Sequence, residues 1–94
     1  MTASVAFTAR LIGVDGGSWV FAPVPDEHAP DSAGAWGRCP VLATVDGHVW
    51  ATSAWRDSRR GWLLPVPRAI RAGKGPGDPV TVVIEEDPSR PWSR

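Results

Sequence analysis

Three tryptophans, Trp50, Trp55 and Trp62, bracket the basic turn Arg56-Asp57-Ser58-Arg59-Arg60. A guanidinium stacks on an indole face and pairs with planar anions, so these residue types carry recognition chemistry. Trp50, Trp55, Arg56, Arg59, Arg60 and Trp62 are therefore the candidate site for a small apolar or anionic ligand, or for a protein partner. Interleaved aromatic and basic residues also suit single-stranded nucleic acid, where each stacked base contributes about 1–3 kcal/mol. The competing structural reading has the indoles filling a small core and the arginines on a solvated hairpin tip.

A second basic face comes from Arg68, Arg71 and Lys74, with Arg68 and Arg71 three apart on one side of a helical turn. Yet the net charge is zero, with an acidic loop at Asp26, Glu27 and Asp31 and an acidic end at Glu85-Glu86-Asp87. Nucleic-acid binding normally leaves a basic excess over the whole domain, so it is disfavoured.

The signals for catalysis are weaker. His28 and His48 titrate in the range of a general acid or base, which keeps open a small enzyme that encloses its substrate and uses a His or carboxylate. Cys39 alternates with apolar residues, where a thiol behaves as a small inert hydrophobe. Ser53 and Ser58 lack any nucleophile motif. Two histidines and one cysteine at these separations make no zinc site. Gly73-Lys74-Gly75-Pro76-Gly77 departs from a phosphate loop, because Pro76 removes a backbone donor and no Gly-Lys-Ser/Thr follows. It reads as a corner in which the Asp78 carboxylate accepts backbone N–H groups. No cofactor and no metal are expected.

These groups need elements to hold them. Val5, Phe7, Ala9 and Leu11 alternate with polar or small residues, as in a half-buried strand, and Asp15-Gly16-Gly17 reads as a turn. A second strand runs from Ser18 to Val24, with Pro23 forcing an edge or an end. Asp26-Glu27-His28 could begin a helical turn that Pro30 stops. Arg38 to Val45 is a third strand, with Cys39, Val41, Ala43 and Val45 on one face. Asp46-Gly47 is a type I′ hairpin signal leading to a fourth strand, His48 to Trp55. Trp62 to Val66 is the fifth strand, and Pro67 opens a short helical turn over 67–72 that Gly73 ends. Gly75-Pro76-Gly77-Asp78 turns the chain into the last strand, Pro79 to Glu86, which Pro88 closes. Six short strands and one helical turn predict an all-β barrel, with residues 1–88 as a single domain and 89–94 as a tail.

The 94 residues allow one small core, and an apolar fraction of 43% is enough for it. No apolar run approaches the ~20 residues of a membrane span. Met1-Thr2-Ala3-Ser4-Val5 does not read as the start of a secretory signal, and the lone Cys39 cannot form an internal disulfide. A cytoplasmic location is the expectation.

Taken in order, Phe7-Thr8-Ala9, Trp19-Val20-Phe21, Pro25, the arm from Arg38 to Gly47, Gly61-Trp62-Leu63-Leu64-Pro65-Val66 and Gly75-Pro76-Gly77-Asp78-Pro79-Val80 resemble the bacterial domain-of-unknown-function 1905 family. The likeness runs from about Val5 to Asp87 and is sharpest in the final strand–turn–strand segment. That segment is also similar to the AbrB-type swapped-hairpin barrels, some of which meet DNA through basic residues. The resemblance implies a double-split β-barrel and carries over no catalytic residues.

Overall fold

The alternating apolar positions become strands that turn one face inward. The computed structural model describes residues 5–14, 19–29 and 38–86. In it, β1 (Phe7–Arg10), β2 (Ile12–Gly13), β3 (Val20–Val24), β4 (Arg38–Val45), β5 (His48–Asp57), β6 (Gly61–Pro65) and β7 (Pro79–Glu86) form one antiparallel sheet. A 3-10 turn, Asp26–His28, follows β3, and a single helical turn, α1 (Arg68–Arg71), follows β6. The expected turn at Asp15-Gly16-Gly17, the stop at Pro30, and Pro88 with the tail 89–94 lie outside the described residues.

The strand order is β1-β7-β4-β5-β6-β3-β2, and β1 and β2 are two parts of one extended segment. Its first part pairs with β7, from Phe7 opposite Val82 to Arg10 opposite Pro79. Its second part pairs with β3, placing Ile12 opposite Phe21 and Gly13 opposite Val20. One segment thus joins both ends of the sheet and curls it into a barrel, which removes the open edges that invite aggregation. Among the described residues, seven strands therefore stand where six were expected. The extra one arises because the first strand must leave one neighbour before it can reach the other.

Leu11 occupies the break. Its N–H donates to the Asp78 carbonyl at 2.9 Å, and its carbonyl accepts from Gly77 N–H at 2.7 Å. Both polar groups stay bonded while the Leu11 side chain is buried. Gly77 makes this contact at φ 96°, which a residue with a side chain adopts only under strain. The Asp78 carboxylate accepts the Gly75 N–H at 2.9 Å, as expected of a turn aspartate.

The interior is apolar: Ala22, Val41, Ala43, Val45, Leu64, Val80 and Val82 are all sealed, with Cys39 among them. Pro23 lies past the last β3 residue paired to β2, so its missing N–H falls where β3 has one neighbour only. Among the described residues, no helix is long and apolar enough to cross a membrane.

Asp46 (φ 48°) and Gly47 (φ 88°) make the expected left-handed hairpin turn between β4 and β5. One Asp46 carboxylate oxygen accepts the Thr81 N–H at 2.9 Å, and the other accepts from Lys74 Nζ at 2.9 Å. Lys74 Nζ also donates to the Pro79 carbonyl at 2.8 Å. The bond from Thr81, followed by that from Lys74, holds the Asp46 carboxyl below its usual range. Because the folded value is lowered, the stabilisation is complete above the ordinary carboxylate pKa of about 4 and is lost as pH falls through the folded value. Asp46→Asn keeps a residue at ease in the left-handed region and removes the charge. We expect it to cost about 1 kcal/mol at neutral pH, a figure reduced for the partial exposure of the pair. Urea midpoints of the two proteins should converge on acidification below about pH 4; a gap that stays constant would show that the charge contributes nothing.

Candidate functional site

The β5–β6 hairpin is built around Asp57. One of its carboxylate oxygens accepts the backbone N–H of Arg59 at 2.7 Å and of Arg60 at 2.9 Å. Its other oxygen pairs with the Arg60 guanidinium at 3.3 Å. Those two backbone bonds, then the Arg60 charge, hold the Asp57 carboxyl below its usual range. Asp57 is therefore occupied in shaping the turn.

Strand alternation divides the three candidate tryptophans between two faces. Trp62, 7% exposed, belongs to the buried core, and Trp50 packs half-buried against that core. Trp55, 43% exposed, points outward, opposite Leu63 on β6 and Arg38 on β4. Arg56 is exposed near the strand end, and Arg59 and Arg60 are exposed at the hairpin tip. The six residues are thus neighbours along the hairpin but do not form one surface.

Trp55 and Arg56 instead border a groove of about 360 Å³ completed by Val14, Trp19, Phe21, Asp57 and Leu63. Leu63 is buried yet lies outside the core cluster, as expected of a side chain on the outer face of β6. Trp19 is 65% exposed, and its ring lies 6.2 Å from that of Phe21 with 19° between their planes. The Arg38 guanidinium sits 4.9 Å from the Trp55 ring centroid, a cation–π contact. Sequence reasoning missed Val14, Trp19, Phe21, Leu63 and Arg38 as site residues. Its usable signal was the unbroken apolar runs Trp19-Val20-Phe21-Ala22 and Trp62-Leu63-Leu64, since a strand without alternation has both faces covered.

The other candidates are dispersed. Lys74 is bound to Asp46 and Pro79, Arg71 is half-buried and Arg68 is exposed, so the second basic face does not present three free cations together. His28 packs its ring 4.6 Å from that of Phe7, and His48 is exposed beside the Asp46-Gly47 turn. Ser53 is half-buried on β5 and Ser58 is exposed in the hairpin turn. Among the described residues, no three His, Cys, Asp or Glu side chains gather as metal ligands.

The family model Domain of unknown function (DUF1905) matches residues 7–84. The chain belongs to the DUF1905 family. The matched span reaches from β1 into β7 and so takes in the closing segment, the groove residues and the corner at Gly77. A search of curated proteins finds no match.

Burial, and secondarily the charge of Glu86, pushes the Cys39 thiol up to about 11. Little thiolate exists near neutral pH, and the sulfur is sealed in the core. An aromatic disulfide reagent at about pH 8 should leave the native chain unlabelled for hours and label the urea-unfolded chain within minutes. Rapid native labelling would show that this part of the core is open.

Proposed function

We propose that this DUF1905 domain is a small binding module, and that its ligand is a small molecule with an apolar, ring-like part. The reading rests on one observation: exposed Trp19 and Trp55, with Phe21, wall a groove floored by the buried Leu63. Large exposed apolar side chains around a concavity mark binding surfaces, and about 360 Å³ falls within the size range of small-ligand sites. An enzyme that encloses its substrate has less support. Among the described residues, the buried set contains one titratable side chain, Cys39, and its thiol is held protonated. A buried free thiol suits a reducing compartment, and we take the cytoplasm as the place of action.

A neutral apolar fluorophore, N-phenyl-1-naphthylamine, is a suitable first probe. It should bind the intact chain and lose about tenfold or more in affinity on Trp55→Ala, which strips one wall from the groove. Trp50→Phe, on the inner face, should leave the affinity unchanged. A Trp55→Ala variant that binds like the parent would remove the groove as the site.

A further inference from the structure

We infer that the groove selects an aromatic anion: a flat ring bearing a carboxylate, sulfonate or phosphate at one end. This rests on the binding-module reading above and adds the chemistry of the ligand.

The ring half follows from the walls. Trp19 and Phe21 lie nearly parallel and make a flat aromatic side, Trp55 adds a second indole, and Leu63 offers no polar side-chain atom. A planar ring gains more from such walls than a branched chain does, because offset stacking adds to area burial.

The anionic half follows from the charges. Arg56 lines the groove, Arg38 lies over Trp55, and Arg59 and Arg60 follow on the same hairpin. Asp57 is the acid of the lining, and its carboxylate is already committed to Arg60 and to two backbone N–H groups. Arg38, Arg56 and Arg59 form no salt bridge with a carboxylate among the described residues. The nearest described acid along β4, Glu86, is in register with Val41 and lies on the opposite edge of that strand from β5 and the groove. Among the described residues of this region, the four guanidinium groups of Arg38, Arg56, Arg59 and Arg60 stand against the one carboxylate of Asp57. Guanidinium groups bind planar anions through paired hydrogen bonds, so a ring seated between the walls can present its acidic end to Arg56 and Arg38.

The test compares two dyes of similar ring system on the intact chain: 8-anilinonaphthalene-1-sulfonate, which is anionic, and N-phenyl-1-naphthylamine, which is neutral. Arg38→Gln and Arg56→Gln together change two exposed side chains, and we expect them to weaken the anionic dye about tenfold while moving the neutral dye by less than about twofold. Raising salt to about 0.5 M should likewise weaken only the anionic dye. If the charge variants leave the anionic dye unchanged, or weaken both dyes alike, the anion preference is overturned. The groove reading would still stand in that case provided Trp55→Ala abolishes binding of the neutral dye. If the parent chain binds neither dye, both readings fall.

Discussion

The handover at Leu11 is the constraint on which the rest of this domain depends. A sheet of short strands closes only if some segment pairs with both of its ends, and residues 7–13 do so by leaving β7 and joining β3. At the crossing, two backbone groups lose their strand partners and would be costly to bury unbonded. The corner at Gly77 and Asp78 supplies both missing bonds. Arg10 reinforces the same corner by donating to the Gly77 carbonyl at 2.8 Å. The Gly-Pro-Gly-Asp run therefore completes the barrel from outside, and its glycine and aspartate serve backbone geometry.

Closure in turn decides what lies on the outer surface. With the inner face filled by valines, alanines, Leu64 and Trp62, the residues of opposite parity, Phe21, Leu63 and Trp55, are directed outward. Outward apolar side chains on adjacent strands must cover one another or remain wet, and here they do both. Leu63 is covered, while Trp19 and Trp55 stay substantially exposed at the rim. The groove is thus a consequence of apolar residues at outward-facing positions on adjacent strands.

The barrel was largely legible in the sequence because its signals are local. Period-two alternation in Arg38–Val45 and Pro79–Glu86, and the Asp46-Gly47 pair, need no knowledge of distant residues. The helical turn, also a local feature, ends as its residues indicate, with Ala72 and Gly73 both left-handed. One feature of the fold required long-range information. The split at Leu11 depends on a corner more than sixty residues away in the chain. The site was legible only in part for the same reason. Trp55 and Arg56 were visible on one hairpin, but Trp19, Phe21 and Arg38 reach them through strand pairing. Parity also separates Trp50 and Trp62 from Trp55, although sequence proximity grouped them.

The division of labour among the described charged residues sets Arg38 and Arg56 beside the groove in a chain whose net charge is zero. Asp46, Asp57 and Asp78 each turn their carboxylates to backbone N–H groups, which sequence statistics for turns would anticipate. Two of them also hold a cation, Lys74 and Arg60, so those pairs are neutral and built into the fold. The remaining described acids lie elsewhere, at Asp26 and Glu27 in the 3-10 turn and at Glu85 and Glu86 near the end of β7. Arg38 and Arg56 sit at the far end of the β4–β5 hairpin from Asp46, on paired strands, near exposed Trp55. Because the Asp46, Asp57 and Asp78 carboxylates are held to backbone N–H groups by turn geometry, they are not free to swing across to these arginines. On the proposed reading, a fold that uses Asp46, Asp57 and Asp78 to make corners leaves Arg38 and Arg56 to meet the anionic end of the ligand.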